Sequence, residues 1–401
     1  MRPISIMLSG ILLFIATMTP GQKPPVVLVT NSFLEYNLNA RIAATGGIST
    51  VSSILYPETG LFQNAALLSG GQRYFTVNAS ASTFLRAFDK DYFGTEFNGS
   101  LAFNANNATG IYLSYLNHGT MSFIDMTNPE SNASGKYYNL CAKLVYAHSF
   151  KKGISVGGAI KYCRSDFGNP DFGDGKTIKN MTGFAVDLGF SYITSFSMAK
   201  GINLGLHAGV AATDLGPRLK YQYDTFDWDM FQPSTLRAGL LLSPEFMLPA
   251  NFKLTVDLSY QAEKLMTPSP PEYYVDVDGG FVISKGKDPD VSAFRGIYQS
   301  FYDSPSGFKG EIDEIGHRAA SEIRFAWSDK LYFAFRYGHT WQPLLPGYYS
   351  SGAGGLGLGL YGFSLDFFHV LDLPGSSAEI HRNYGFSVGF RGNLSGKLFH
   401  F

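Results

Sequence analysis

Residues 355–362 read Gly-Leu-Gly-Leu-Gly-Leu-Tyr-Gly, and they contain the spacing G-x-G-x-x-G from Gly357 to Gly362. A dinucleotide-binding loop with this spacing needs a strand before it and a helix after it, whose N-terminus meets the pyrophosphate. Residues 363–367 instead alternate apolar and polar side chains, which predicts a strand. A period of two places the leucines on one face of this stretch and the glycines on the other. We therefore interpret the stretch as part of a sheet, not as a nucleotide site.

The composition excludes several classes of function. Only 16% of the 401 residues are charged, against about 25% in an average soluble domain. The formal net charge is −1, which gives no electrostatic basis for a nucleic-acid partner. No H-E-x-x-H motif occurs, and the two cysteines cannot form a cysteine-rich metal site. The sequence therefore predicts no metal, no cofactor and no enzymatic activity.

The first 21 residues predict an export signal. Arg2 supplies a positive charge, residues 4–18 form a short apolar run, and small residues precede a cleavage site ahead of Gln22. The apolar run is shorter than the roughly 20 residues with which a helix spans a bilayer. No later stretch is apolar over that length, so a membrane role would have to use strands.

Segments with an apolar residue at every second position recur along the chain. In residues 253–260, for example, Leu254, Val256, Leu258 and Tyr260 share one face. Most segments are longer than the usual globular strand of about five or six residues and suit a tilted crossing of a hydrocarbon layer. The fourteen predicted strands span 72–82, 93–105, 110–117, 136–149, 154–164, 182–195, 201–213, 234–243, 251–261, 317–327, 330–340, 350–360, 363–370 and 382–391.

The predicted connections alternate between short turns and long loops. This alternation is typical of outer-membrane barrels, whose short turns face the periplasm. In hydrocarbon every backbone polar group needs a partner, so the sheet must close on itself. We therefore predict an all-β, transmembrane antiparallel barrel of about 14 strands in the cell outer membrane, with apolar side chains towards lipid and small or polar ones inside.

This prediction divides the chain into four parts. Residues 1–21 are the signal peptide, 22–71 an N-terminal plug in the lumen, 72–391 the barrel and 392–401 a C-terminal tail. The barrel includes a long extracellular loop at 262–316. Residues 383–390 carry a polar-x-Gly-x-x-apolar-x-aromatic pattern that is typical of a closing strand, and a partial second match lies at 396–401. We favour the earlier match.

The two cysteines are predicted to face each other. A three-residue turn at 151–153 pairs Phe150 with Ile154, and counting back along both strands places Cys141 opposite Cys163 on the inward face. Directly opposed residues lie within reach of a disulfide, and the periplasm permits oxidation. Two free buried thiols are the alternative. The same register opposes Lys143 to Lys161, which is unfavourable unless an acidic plug or water lies between them.

The long loop carries an apolar stripe at helical spacing. Asp288 followed by Pro289 predicts an N-cap and a first helical residue, and Asp303-Ser304-Pro305 predicts the end of the helix. The stripe either folds onto the barrel mouth as a lid or forms a docking surface, because exposed aromatic patches mark interfaces. The predicted docking residues are Phe294, Ile297, Tyr298, Phe301 and Tyr302.

Two stretches of this loop, residues 263–271 (EKLMTPSPP) and 296–315 (GIYQSFYDSPSGFKGEIDEI), resemble the long-loop region of PorV proteins. PorV proteins are outer-membrane barrels of the type IX secretion system of Bacteroidetes, related in fold to the FadL fatty-acid transporters. The resemblance spans most of the chain and is weaker in the plug, where residues 61–66 read LFQNAA in place of the family's Asn-Pro-Ala-like motif.

The resemblance implies a non-enzymatic transport role. PorV-like barrels bind the C-terminal signal domains of secreted cargo, dock beside the translocon barrel and deliver cargo to attachment-complex proteins. The expected partners are therefore the translocon, the cargo signal domains, the attachment-complex proteins and outer-membrane lipid. A FadL-like channel for hydrophobic small molecules is the alternative.

Overall fold

The computed structural model describes residues 29–52, 56–69, 73–84, 91–125, 132–173, 176–223, 226–276, 280–327, 330–344, 347–371 and 383–394. The predicted signal peptide, residues 22–28 of the predicted plug, residues 395–401 of the predicted tail and the second C-terminal match at 396–401 lie outside the described residues.

Fourteen antiparallel strands form one closed barrel, so the predicted fold class is confirmed. Each predicted strand overlaps one observed strand, and several observed strands run further towards the long loops. The barrel strands are β1 (Tyr74–Thr83), β2 (Phe93–Ala102), β3 (Asn107–Ile124), β4 (Asn132–Ser149), β5 (Ile154–Asp166), β6 (Met181–Ala199), β7 (Ile202–Leu215), β10 (Thr235–Leu248), β11 (Phe252–Leu265), β14 (Ile315–Trp327), β15 (Leu331–Leu344), β16 (Gly347–Leu360), β17 (Phe363–Leu371) and β18 (Tyr384–Asn393).

Two hairpins outside the barrel lie in long loops that sequence inspection treated as irregular. They are formed by β8 (Leu219–Tyr223) with β9 (Phe226–Met230), and by β12 (Glu272–Val275) with β13 (Phe281–Lys285). The described residues form three α-helices, α1 (Ala40–Ala44), α2 (Ala293–Gln299) and α3 (Phe308–Asp313). Short 3-10 helices lie at Ser32–Glu35, Pro57–Leu61, Ala65–Leu68, Lys151–Gly153 and Pro249–Asn251.

The last barrel strand closes the ring. β18 pairs with β17 on one side and with β1 on the other, in an unbroken register from Tyr74 opposite Asn393 to Ser82 opposite Gly385. Of the two closing patterns in the sequence, the earlier one at 383–390 therefore lies on the closing strand.

The stretch at 355–362 has its leucines outside and its glycines inside. Leu356, Leu358 and Leu360 are exposed on the outer surface of β16, where large apolar side chains of every barrel strand form the face suited to lipid. Tyr361 and Gly362 both have positive φ, 50° and 88°, and make the two-residue turn into β17. The G-x-G-x-x-G spacing is thus a feature of the barrel wall.

The inward glycines of β16 leave room for neighbouring groups. A Cβ on Gly357 would lie 2.7 Å from the guanidinium of Arg336 and from Asp366 Oδ1, and one on Gly359 would overlap the ring of Tyr332. A Cβ on Gly355 would overlap Ala44 at the end of α1. Glycine is required here because the interior is occupied.

Candidate functional site

The long loop between β11 and β14, residues 266–314, contains the predicted docking residues. Helix α2 begins after Ser292, whose hydroxyl accepts a hydrogen bond from the backbone N–H of Arg295. The predicted N-cap at Asp288 and first helical residue at Pro289 were therefore wrong by four residues. Asp288 Oδ1 instead accepts from the N–H of Asp290 in a turn that precedes the helix.

One side of α2 packs on the barrel mouth through a glycine. A Cβ on Gly296 would lie 2.7 Å from the ring of Phe231 and 3.2 Å from Pro268. Gln299 is buried, and its side-chain amide donates to the carbonyl oxygen of Asp288 at 2.9 Å. These contacts hold the helix close to the mouth and fix which of its sides faces outwards.

The outward side of α2 carries the aromatic residues. Phe294 is 84% exposed and Tyr298 69% exposed, so these two rings do not cover the mouth as a lid. Phe301 and Tyr302 follow the helix and are also exposed, whereas Ile297 is half-buried. The rings of Tyr298 and Tyr302 pack edge to face with centroids 5.3 Å apart, and Lys287 Nζ lies 3.5 Å above the Tyr302 ring. Two of the predicted residues, Tyr298 and Tyr302, thus contact each other directly.

A second exposed apolar group on α3 was missed by sequence inspection. Phe308 is 82% exposed and Ile312 is also exposed. Their spacing of four residues on a short helix was the available signal. We refer to Phe294, Tyr298, Phe301, Tyr302, Phe308 and Ile312 as the loop aromatic surface.

The opposite side of α3 is held by a buried lysine. Lys264 Nζ lies 3.0 Å from Glu311 and 2.6 Å from Glu314, and Glu311 also accepts from the N–H of Ser304 at 2.8 Å. Glu311 is buried, while Asp313 on the same helix is exposed. These ion pairs anchor the loop to the end of β11.

Asp303, between the two helices, is buried and accepts a hydrogen bond from the N–H of Ser269 at 3.2 Å. Its other carboxyl oxygen has no hydrogen-bond partner. Loss of solvation raises the pKa of Asp303 above its ordinary value. Burial therefore favours the protonated form of this carboxyl group.

Residues 29–52 and 56–69 contact the inner face of the barrel. Arg41 on α1 pairs with Glu58 at 2.9 Å and with Asp366 on β17 at 3.1 Å, and its guanidinium lies 3.5 Å above the ring of Tyr56. Asp366 also pairs with Arg336 on β15 at 2.7 Å. Buried charges need such partners, and this network joins the N-terminal segment to the wall.

A second ion-pair network lies nearer the outer end of the lumen. Arg237 on β10 pairs with Glu35 of the N-terminal segment and with Glu263 on β11. Glu263 in turn pairs with Arg318 on β14 at 2.6 Å. Arg318 also donates to the backbone carbonyl of Gly46 at 2.6 Å, so the wall binds the segment through its backbone as well.

Asn64 fixes the middle of the segment against lumenal glycines. Its amide nitrogen donates to the carbonyl oxygens of Thr50 at 2.8 Å and Phe190 at 2.9 Å, while its amide oxygen accepts from Ala66 N–H at 3.2 Å. A Cβ on Gly189 would overlap Asn64. Asn64 lies in the LFQNAA stretch, which differs from the Asn-Pro-Ala-like motif, and it makes three hydrogen bonds to the backbone.

The cysteine register is as predicted. Cys141 and Cys163 are directly opposed between β4 and β5, and both are buried beside Phe33 and Leu38 of the N-terminal segment. Their Sγ atoms lie 3.7 Å apart as free thiols, so the disulfide stays a prediction.

The opposed lysines below the cysteines are neutralised by the wall itself. Asp187 on β6 lies 2.6 Å from Lys143 and 2.9 Å from Lys161, and Asp214 on β7 lies 2.6 Å from Lys161. From the sequence, this pairing was unfavourable unless an acidic plug or water lay between the lysines. Aspartates of the two following strands fulfil that role.

A cavity of about 420 Å³ lies between the N-terminal segment and the outer ends of β1 and β14–β18. Its lining mixes apolar side chains such as Leu38 and Phe368 with polar ones such as Thr340 and Gln342. Arg318 borders it, and the Nε of this buried guanidinium has no hydrogen-bond partner. The cavity is a candidate pocket for a small molecule with both apolar and polar groups.

The described residues contain no group of three or more metal-ligating side chains. None of the helices in the described ranges has the length and hydropathy needed to cross a bilayer. Sequence inspection missed two G-x-S-x-G spacings, at 153–157 and 385–389, but both run into barrel strands and not into the strand-to-helix turn of a nucleophile elbow.

Comparison with known proteins gives one family. The family model described as type IX secretion system protein PorV matches residues 26–272. Solved structures similar to this chain include the Pseudomonas putida toluene transporter TodX, with 11% identity over 91% of this chain and 98% of that chain and a TM-score of 0.43. The Ralstonia pickettii toluene transporter TbuX has 12% identity over 92% of this chain and 99% of that chain, with a TM-score of 0.42. A Pseudomonas aeruginosa FadL homologue has 9% identity over 91% of this chain and 99% of that chain, with a TM-score of 0.41. None of the curated proteins matches the chain.

Proposed function

Because the chain belongs to the PorV family of type IX secretion system proteins, we propose that it binds the C-terminal signal domains of secreted cargo and shuttles the cargo from the translocon to surface attachment. It is an outer-membrane barrel of a transport family. The proposed partners are the translocon barrel, the cargo signal domains and the attachment-complex proteins.

The loop aromatic surface is the observation that carries this proposal. Its rings are exposed although their helices are anchored, α2 through Gly296 and α3 through Lys264. Ordering large aromatic side chains in water gains little unless a partner buries them, and aromatic residues dominate the binding energy of protein interfaces. A pre-ordered surface also lowers the entropy cost of binding.

The occupied lumen supports a shuttle over a conduit. Arg41, Glu35 and Asn64 tie the N-terminal segment to the wall at three levels, and each contact is buried or partly buried. A conduit would need a continuous path past these contacts. We therefore propose that the segment acts as the plug of a sealed barrel and that binding takes place on the outer rim.

A FadL-like channel for hydrophobic small molecules is the competing hypothesis. The cavity of about 420 Å³ beside Leu38 and Phe368 favours it, because small-molecule pockets are concave and largely apolar. Such a channel would require the plug contacts to open during each passage.

A pull-down from detergent-solubilised outer membranes tests the proposal. The affinity-tagged chain should retain the translocon barrel and peptides from cargo signal domains, which mass spectrometry identifies. The control is cargo that lacks its signal domain, which should not be retained. Recovery of bound lipid alone, without translocon or cargo peptides, would contradict the proposal and support the channel.

A further inference from the structure

Lysines occupy the short-turn ends of four neighbouring hairpins. The hairpins β4–β5, β6–β7, β10–β11 and β14–β15 follow one another around the barrel, because β5 pairs with β6, β7 with β10 and β11 with β14. The exposed lysines are Lys151, Lys152, Lys200 and Lys330, and we refer to these four as the basic arc. Lys253, in the hairpin between them, alternates with the outward Phe252 and pairs with Glu245. Short turns face the periplasm in outer-membrane barrels, so the arc borders the periplasmic leaflet.

The basic arc is poorly neutralised by the protein. Lys151, Lys152, Lys200 and Lys330 are exposed. Within the described turns of these four hairpins, the acidic partner is Glu245, which lies 3.3 Å from Lys253. Asp329 adjoins Lys330 in sequence and lies outside the described residues. The described long loops have the opposite balance, since their acidic side chains outnumber the basic ones.

Aromatic side chains on the outer surface place the arc at the depth of lipid headgroups. Phe150, Phe196, Phe252 and Trp327 are exposed beside the turns, and the rings of Phe252 and Trp327 stack with centroids 5.8 Å apart. Lys330 Nζ lies 5.6 Å from the centroid of the exposed Tyr361 ring. Such aromatic girdles mark the membrane–water interface, and lysines next to them extend into the headgroup layer.

We propose that the basic arc binds the headgroups of anionic phospholipids in the periplasmic leaflet. A phosphodiester headgroup with a net negative charge complements several ammonium groups at one depth, whereas a zwitterionic headgroup offers no net attraction. An acidic periplasmic protein is disfavoured as the occupant because the lysines adjoin side chains that face lipid. Bound anionic lipid would fix how deep this side of the barrel sits in the membrane.

Native mass spectrometry of the detergent-purified full chain tests this inference. The probes are phosphatidylglycerol and phosphatidylethanolamine of identical acyl chains, offered in equal amounts. The test variant is K151Q/K152Q/K200Q/K330Q, and the matched control is K179Q/K220Q/K285Q/K309Q, which removes four exposed lysines from the long loops. The heat-dependent shift of folded barrels on SDS gels shows that both variants are folded.

We expect the wild type and the control to retain at least about threefold more phosphatidylglycerol than phosphatidylethanolamine. The arc variant should retain the two lipids equally. Raised salt should weaken the preference in the wild type because exposed charges are screened. Equal retention by the wild type, or an unchanged preference in the arc variant, would overturn the inference. Retention of an acidic protein without any lipid preference would also overturn it.

Discussion

Arg41 in the N-terminal segment donates to Asp366 in the barrel wall, with the guanidinium Nη2 and carboxylate Oδ2 atoms 3.1 Å apart. The two residues are 325 positions apart in sequence, and both side chains are buried. Asp366 retains Arg336 as a second partner, while Glu58 depends on Arg41 for its ion pair. Removing this contact therefore tests how strongly the N-terminal segment is held in the barrel lumen.

Replacing Arg41 with Ala should loosen the segment without opening the barrel wall. Removing one partner of a buried pair costs about 3–5 kcal/mol, because the remaining charge is left desolvated. The variant should show ion conductance in planar bilayers that the wild type lacks. Arg41→Lys keeps the charge and should conduct far less than Arg41→Ala. Equal, low conductance of Arg41→Ala and wild type would argue against a seated plug.

Replacing Phe294, Tyr298 and Phe301 together with Ala should stop cargo from reaching the cell surface while the barrel still inserts. The expected reason is loss of aromatic burial at a docking interface, where single aromatic residues contribute about 2 kcal/mol or more. Surface cargo is measured by protease accessibility on whole cells. The matched control is a variant in which Lys309 and Asp313, two exposed residues of the same loop, are replaced with Ala. Normal export by the triple variant would exclude the loop aromatic surface as the docking site.

Replacing Gly359 with Ala should destabilise the barrel. The new methyl group would overlap the Tyr332 ring, which is buried, and overpacking costs about 1–3 kcal/mol. Gly354→Ala on the same strand is the control, since its nearest heavy atoms lie 3.8 and 3.9 Å away. The temperature at which the folded band is lost on SDS gels should fall for Gly359→Ala only. An equal fall for both variants would show that the overlap with the Tyr332 ring does not set the effect.

Cys141 and Cys163 should be joined by a disulfide in protein isolated from outer membranes. Opposed strand residues have the required Cα separation, and the thiols need to approach from 3.7 Å to about 2.05 Å. Oxidation releases two protons and passes two electrons to a periplasmic disulfide oxidant. Alkylation in denaturant without reductant should label neither cysteine, and reduction should expose both. Two labelled thiols before reduction would establish the free pair.

The long loop should open more readily as pH rises through the pKa of Asp303. Because burial raises this pKa, the folded loop favours the protonated carboxyl. The Asp303 carboxyl contributes fully to the stability of the folded loop at a pH below its ordinary pKa. That contribution is lost as pH rises through the raised pKa of the folded loop. Proteolysis of residues 266–314 should therefore accelerate across that window, and Asp303→Asn should remove the dependence. If the pH dependence of proteolysis persists in Asp303→Asn, a titratable group other than Asp303 causes it.

The barrel wall was predictable from sequence because lipid imposes a single rule on every strand. Leu254, Val256 and Leu258 alternate with polar residues since one face meets acyl chains and the other meets the lumen. The register that opposes Cys141 to Cys163 was predictable for a different reason, because the short turn at 151–153 fixes how β4 and β5 pair. Apolar and polar residues also alternate at 219–223 and 226–230, but these segments lie in a long loop and were not predicted as strands.

The loop and the lumen were harder to predict because distant residues decide them. The start of α2 depends on Ser292, which a local signal at Asp288 and Pro289 obscured. The partners of Lys143 and Lys161 come from two later strands, and no spacing along the chain specifies them. The outward direction of Phe294 follows from Gly296 packing on Phe231, 65 positions earlier in the chain.

The pairing of β1 with β18 has a consequence for biogenesis. Neighbouring hairpins can zip together locally, but this seam joins the earliest strand to the latest, so loop-closure entropy makes it slow to form. Until the seam forms, two rows of backbone groups stay unpaired and prone to aggregation. The backbone groups of β1 therefore stay without their final partner until β18 is available to close the ring.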